Sequence, residues 1–187
     1  MSTATATQPL LIPTGTWAVD PAHSRVEFQV KHLGIATVRG HFASFNGTLE
    51  VGEDLASAKA YGSVATASVN TNDDGRDAHL RSADFFDVET YPEITFTSKA
   101  IRSTGADTFE VTGDLTLHGV TRELTLEADV SGTEEDPWGN ERVALEASGR
   151  IDRRDYGMTF NQALGSGNML VSETVKLHLD ISAVKQA

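Results

Sequence analysis

Apolar and polar residues alternate with a period of two along most of this chain. Val26, Phe28 and Val30 alternate with charged or polar neighbours, a spacing that places the apolar side chains on one face of a β-strand. The pattern recurs clearly over 109–117, 124–130, 143–151 and 175–181, and more weakly over 36–42, 47–51, 59–70 and 93–101. Such strands, with one apolar and one wet face, are typical of antiparallel sheets.

The alternation predicts about eight or nine strands, separated by Gly, Asn, Asp and Pro turns. An antiparallel barrel or a sandwich is therefore expected. A barrel of about eight strands closes both edges of its sheet, and its interior is either just filled or just wide enough for one small ligand. The alternation leaves both interiors open, because core and cavity residues point inward alike.

Composition narrows the classes of partner. The 27 acidic and 15 basic residues give a formal charge of −12, which repels nucleic acid and anionic membrane surfaces. There is no cysteine, which removes disulfides and thiolate metal sites. His23, His32 and His41 recur every nine residues, but odd separations put strand neighbours on opposite faces, so no metal site is predicted.

A length of 187 residues fits one domain, which we expect to span 16–187. Residues 1–15 are rich in Ser, Thr, Ala and Pro and are expected to form a disordered leader. They lack the charged and apolar regions of a secretion signal, and no apolar run approaches the roughly 18 residues that cross a bilayer. The sequence thus predicts a cytoplasmic protein without stable membrane insertion.

The alternation breaks between Arg76 and Phe96. A short helix is predicted near residues 74–82, with Asp74 as its N-cap and an Asp77–Arg81 pair at i, i+4. Two interpretations stand side by side. The helix either caps an open barrel end while its charges remain solvated, or it brings a cation to a ligand's polar head. The candidate head-group residues are Arg76, His79 and Arg81.

Inward-facing apolar residues are candidates for a ligand-tail cavity or for an ordinary core. The candidates are Phe28, Phe42, Phe85, Phe86, Phe96, Leu115 and Leu126. Many other inward positions hold Ala or Gly, which suggests free space. Arg150, Arg153 and Arg154 form a dense basic cluster, interpreted either as a salt-linked strand end or as a receptor for a diphosphate.

Several ordered motifs resemble the YceI-like, polyisoprenoid-binding family over roughly residues 16 to 183. The first comprises Trp17, Asp20, His23, Ser24, Phe28, His32, Leu33, Gly34, Gly40, Phe42, Phe45 and Gly47. The second comprises Asp77, His79, Leu80, Arg81, Phe85, Phe86, Asp87, Tyr91, Pro92, Ile94, Phe96 and Ser98. The third runs from Gly113 to Thr121, and Ile151, Arg153, Asp155, Tyr156 and Gly157 follow.

This resemblance implies an all-β, eight-stranded antiparallel lipocalin-like barrel with one short helix and a long apolar cavity. It also implies an isoprenoid lipid as ligand, either a polyprenyl phosphate or diphosphate or an isoprenoid quinone, held for carriage, storage or protection. A homodimer is a further implication of the family type. No cofactor is expected beyond the bound lipid.

Two alternatives to simple binding remain. The first is an enzyme that modifies an isoprenoid or quinone, for which Ser24 beside His23 supplies a conceivable nucleophile and Asp77 with His79 a conceivable acid or base. Sequence neighbours on a strand point apart, however, so no catalytic residue is predicted. The second is a tightly filled barrel that serves as a stress-related interaction module.

Overall fold

The computed structural model describes residues 11–187. It contains one α-helix, α1 (Asp74–Arg81), and eleven strand segments. The strands are β1 (Gly15–Val19), β2 (Arg25–His32), β3 (Ala36–Phe42), β4 (Phe45–Val51), β5 (Lys59–Ala65), β6 (Val69–Asn70), β7 (Glu93–Ser103), β8 (Thr108–Leu117), β9 (Val120–Glu135), β10 (Glu141–Asp152) and β11 (Val171–Lys185). Residues 1–10 of the expected leader lie outside the described residues.

Six of the segments form three barrel strands, each interrupted once. We call each of the eight full strands of the barrel a stave. A 3-10 turn at Pro21–His23 separates β1 from β2, and both segments pair with β11. A bend at 43–44 separates β3 from β4, and a second 3-10 turn at Thr66–Ser68 separates β5 from β6. Counted as staves, the eleven segments form eight antiparallel strands.

The eight staves follow one another around the barrel in chain order. The ring closes where the first stave meets the last, with Trp17 opposite Lys185 and Val19 opposite Ala183. The predicted eight-stranded antiparallel barrel with one short helix is confirmed. No helix among residues 11–187 is both long and apolar enough to cross a membrane.

One stretch of the wall lacks strand-to-strand pairing. Strand β6 pairs only with β3, whereas β7 pairs with β5 and β8. Helix α1 and residues 82–92 connect these two strands at this place. Arg81 ties the helix to β6, since its Nε donates to the Ala67 carbonyl (2.9 Å) and its Nη2 to the Val69 carbonyl (2.9 Å). We call this stretch the helix seam.

The start of the helix differs from its prediction by one residue. Asp73, not Asp74, is the N-cap, and its carboxylate accepts a hydrogen bond from the Arg76 N–H at 2.7 Å. Asp73 has the extended backbone that an N-cap requires (φ −149°, ψ 110°). Asp74 instead lies in the first turn, where its charge favours the positive end of the helix dipole.

Three apolar clusters lie inside the barrel. Trp17 and Val143, which are 0% and 1% exposed, anchor the cluster at the end away from the helix. Phe28, Phe42 and Val69 form the second cluster beside the helix seam. The third surrounds β8 and β9 and includes Tyr156 and Met158 from the connection between β10 and β11. We refer to the two barrel ends as the Trp17 end and the helix end.

Candidate ligand cavity

A cavity of about 380 Å³ occupies the barrel interior. Its wall includes Leu11 and Leu55 at the Trp17 end and Leu80 and Met158 at the helix end. A single space therefore extends from one end of the barrel to the other. Its volume falls in the usual range of small-molecule pockets, about 300–1,000 Å³, so side chains do not fill this barrel completely.

The wall of the cavity is predominantly apolar. All seven residues predicted as tail contacts line it: Phe28, Phe42, Phe85, Phe86, Phe96, Leu115 and Leu126. The Phe42 ring lies 5.6 Å from both the Phe28 and the Phe86 ring centroids, which are favourable aromatic separations. Contact between these residues and a ligand tail stays a prediction.

Three inward glycines do not leave the free space that their small size suggests. A Cβ atom at Gly40 would lie 2.3 Å from Phe28 Cζ, and one at Gly113 would lie 2.7 Å from Phe96 Cζ. A Cβ atom at Gly149 would lie 2.7 Å from Leu126 Cδ2. Larger neighbours on adjacent strands thus cover these glycines, and glycine at these positions lets predicted tail residues lie flat against the wall.

The three predicted head-group residues do not line the cavity within the described part of the chain. Arg76 donates from Nε to the Thr71 hydroxyl (2.7 Å) and from Nη2 to the Thr71 carbonyl (2.8 Å). Arg81 is held by the carbonyls of the helix seam. Their contact with a head group stays a prediction, and the structure shows both guanidinium groups already engaged in positioning the helix.

His79, the third of these residues, pairs with a carboxylate outside the cavity. Its Nε2 lies 2.8 Å from Asp84 Oδ2, and its ring packs edge-on against the rings of Phe85 and Phe160, with centroids at 5.1 and 4.9 Å. Because Phe85 itself lines the cavity, His79 supports the wall from behind.

The expected ion pair between Asp77 and Arg81 is absent. Asp77 is only 4% exposed, and its carboxylate accepts hydrogen bonds from the Thr71 N–H (2.9 Å) and the Thr71 hydroxyl (2.6 Å). The spacing rule that predicted the pair applies to isolated helices. Here the segment before the helix supplies a nearer and buried partner.

Arg153, which the sequence analysis named only as part of a basic cluster, is a cavity residue. It lines the cavity and is 3% exposed. Its guanidinium donates to the carbonyls of Ser172 (2.9 Å), Met158 (2.7 Å) and Val171 (3.3 Å). Desolvation on burial lowers its pKa from the usual arginine value.

The alternation of apolar and polar residues, extended past Ile151, predicts that Arg153 points inward. Treating the three arginines as one cluster does not use this information. Ile151 faces inward and lines the cavity, so period two assigns Arg153 to the same side and Arg150 and Arg154 to the other. Arg154 indeed lies outside, paired with Asp152 (2.6 Å) and Glu173 (3.0 Å). The hydrogen bond from Arg154 lowers the pKa of Asp152 to about 2. A salt-linked strand end therefore describes Arg154 but not Arg153.

Neither a metal centre nor a nucleophile–base pair is assembled from the residues considered in the sequence. Residues 11–187 hold no group of three or more His, Asp or Glu side chains placed to bind a metal ion. His23 Nδ1 lies 2.8 Å from Asp20 Oδ2, whereas the Ser24 hydroxyl donates to the Ser182 carbonyl (3.1 Å) and accepts from its N–H (2.9 Å). Ser24 thus joins the first stave to β11.

Comparison with known proteins places this geometry in a family. The family model described as "YceI-like domain" matches residues 17–183. Protein YceI of Escherichia coli is 41% identical over 165 residues, which cover 88% of this chain and 83% of that protein.

Two solved structures share the fold. BcnA of Burkholderia cenocepacia superposes with a TM-score of 0.77 at 23% identity, covering 88% of this chain and 98% of that one. A domain from Saccharophagus degradans, described as a polyisoprenoid binding domain implicated in plant cell wall breakdown, gives a TM-score of 0.69 at 20% identity, covering 91% and 98%. The family match and the sequence identity to YceI, with the closed barrel around an apolar cavity, show that this chain belongs to the YceI-like family.

Proposed function

We propose that this protein binds an isoprenoid lipid in the barrel cavity, for carriage, storage or protection of that lipid. The observation that carries the proposal is the single apolar cavity that reaches both barrel ends. Membership of the YceI-like family supports it, as does the description of the Saccharophagus neighbour as a polyisoprenoid binding domain. Polyprenyl phosphates, polyprenyl diphosphates and isoprenoid quinones all have the required long apolar tail.

The tail dominates the expected affinity. Burial of one methylene contributes about 0.8 kcal/mol, so one five-carbon unit contributes on the order of 3 kcal/mol before the cost of ordering the chain. One hydrogen bond to a charged head contributes about 1.5–3 kcal/mol. Two buried isoprene units therefore outweigh a single head-group contact. The phenylalanine and leucine residues of the wall should set affinity, while a polar contact sets orientation and head-group preference.

The proposal is tested by placing a bulky side chain at an inward position of β10 and, as a control, at an exposed position of the same strand. Ala147 lies on the inward face of β10 and lines the cavity, whereas Ala144 lies exposed on the same strand. We expect Ala147→Phe to abolish or strongly weaken binding of geranylgeraniol, because the added ring occupies the tail's space, and Ala144→Phe to bind it like the parent. Native mass spectrometry of the full-length proteins, incubated with the lipid, measures the bound fraction.

Native mass spectra of the parent protein, incubated in turn with a prenyl alcohol, a prenyl diphosphate and an isoprenoid quinone, separate the alternative functions. If the parent protein takes up neither prenyl alcohols, prenyl diphosphates nor isoprenoid quinones, lipid binding is wrong and an interaction module is favoured. If a bound isoprenoid or quinone leaves with an altered mass, the protein is an enzyme. Equal binding by Ala147→Phe and the parent would place the ligand outside the barrel.

A further inference from the structure

Arg153 is the only lysine or arginine among the described residues that line the cavity. The only other formally charged residue of this wall is Glu27, which is half-buried and paired with Arg25 at 3.1 Å. Arg153 stands at the helix end, where the connection between β10 and β11 begins. Apart from these two charges the wall is uncharged, so the cavity has one cationic position and it lies near one end.

The charge of Arg153 is buried without a carboxylate partner in residues 11–187. All three of its hydrogen bonds go to backbone carbonyls. A guanidinium carries five N–H donors, so two donors remain beyond these bonds. Carbonyl dipoles support a buried cation but do not neutralise it, and an uncompensated buried charge is costly.

The nearby acidic groups are committed elsewhere. Asp152 and Glu173 both attract the Arg153 charge at longer range, but each pairs directly with Arg154 on the outer surface. Asp155, the remaining acid of the 3-10 turn Arg153–Tyr156, is exposed. Arg153, the arginine that faces the cavity, therefore has no carboxylate in direct contact.

From this arrangement we infer that Arg153 is an anion subsite of the cavity and binds the phosphate or diphosphate head of a prenyl ligand. This inference rests on the proposed function. It selects phosphorylated isoprenoids over quinones and alcohols, since a planar guanidinium fork matches phosphate oxygens and strengthens each hydrogen bond by charge. It also orients the ligand, with the head at the helix end and the tail toward the Trp17 end.

The test compares two ligands that share a tail. Dissociation constants for geranylgeranyl diphosphate and geranylgeraniol are measured by calorimetry on the parent, on Arg153→Met and on Arg154→Met. Arg154 is the matched control because it is adjacent, exposed and already paired. We expect the preference of the parent for the diphosphate to fall about tenfold or more in Arg153→Met. Geranylgeraniol binding should persist in that variant, and Arg154→Met should keep the parent's preference.

Other outcomes overturn the inference in distinguishable ways. Equal losses for both ligands in Arg153→Met would mean that Arg153 only fastens Met158, Val171 and Ser172 around the cavity. An unchanged preference in Arg153→Met, or a loss of preference in Arg76→Gln, His79→Ala or Arg81→Gln instead, would assign the head to the helix. Binding of neither ligand by the parent would refute the proposed function itself.

A measurement on the parent protein covers the case in which Arg153→Met does not fold. The second ionisation of a phosphate monoester has a pKa of about 6, and a neighbouring guanidinium lowers it. A ³¹P NMR titration of bound geranylgeranyl monophosphate should show this pKa below that of the free ligand. The same lowered pKa is expected in the three helix variants, Arg76→Gln, His79→Ala and Arg81→Gln. An unshifted pKa, or a shift lost in a helix variant, contradicts the assignment.

Discussion

At the scale of single residues, Gly40 shows how one missing side chain shapes the cavity wall. The Phe28 ring occupies the space where a Cβ atom would stand, so we expect Gly40→Ala to push this ring off the wall. Overpacking of this kind costs typically about 1–3 kcal/mol of the free energy of unfolding. Urea unfolding of the variant measures the loss.

The control for Gly40→Ala is Gly165→Ala. A Cβ atom at Gly165 has no neighbour within 4 Å, and Gly165 has no positive φ, so this change should alter stability by no more than about 0.5 kcal/mol. Similar stabilities for both variants would show that the Phe28 ring has another position available at no cost.

For single residues, the sequence predicted which side chains point inward. It did not predict which residues on the neighbouring strands they contact. Period two correctly turned Phe28, Phe96 and Leu126 inward, and all of them line the cavity. It could not show that each covers a glycine on a neighbouring strand, because that contact depends on the register between strands. The same periodicity turns Arg153 inward, whereas treating Arg150, Arg153 and Arg154 as one cluster did not separate the inward arginine from the other two.

At the scale of elements, the buried carboxylate of Asp77 fixes the helix to the segment before it. We expect Asp77→Ala to lower the free energy of unfolding by about 1–3 kcal/mol, since it leaves the Thr71 N–H without its partner in a buried place. Asp74→Ala, at an exposed position of the same first turn, should cost much less. Thermal unfolding followed by circular dichroism distinguishes the two, and equal losses would contradict the role given to Asp77.

The helix also marks where sequence prediction of elements reaches its limit. Its range and type were predicted within a residue or so, because the break in alternation is strong. Two consecutive aspartates fit the N-cap equally well in sequence, however, and backbone geometry selects Asp73. The partners of Arg76, Asp77 and Arg81 depend on Thr71 and β6, whose placement beside the helix is a tertiary fact.

At the scale of the whole molecule, an ion network at the Trp17 end makes stability depend on pH. Arg142 on β10 lies 2.9 Å from Asp20, which follows β1, and 2.9 Å from Asp136 in the turn before β10. The hydrogen bond from Arg142 lowers the pKa of Asp20 to about 2, with His23 as the next cause. The pKa of Asp136 is lowered as well, first by Asn140.

The sign of the pH effect follows from these lowered pKa values. An unfolded aspartate titrates near pH 3.9, so the network stabilises the fold above that pH and the stabilisation is lost as the pH falls toward about 2. We expect Arg142→Met to be less stable at pH 6 and to lose less stability than the parent between pH 5 and pH 2. Urea midpoints across this range test the expectation, and parallel curves would refute it.

The sequence predicted the barrel better than it predicted its interruptions. Period-two segments and their turns predict about eight or nine strands, and the family resemblance implies eight. The 3-10 turn that divides β5 from β6 lies inside the range 59–70, which was predicted as one strand. The cavity was not predictable from periodicity at all, because an inward side chain has the same spacing whether it meets another side chain or empty space. The family resemblance implied a cavity, and the barrel interior does contain one, of about 380 Å³.

The helix seam has a consequence for the rates at which different parts of this barrel open. Between β8 and β9, by contrast, the wall is held by an uninterrupted ladder of backbone hydrogen bonds. At the seam, side-chain hydrogen bonds of Arg81 and Asp77 hold the helix to Val69 of β6 and to Thr71, and no ladder joins β6 to β7. Local opening there requires far fewer broken bonds than global unfolding. We therefore expect the proposed lipid to enter and leave the cavity at the helix seam, while the other strands of the barrel stay paired.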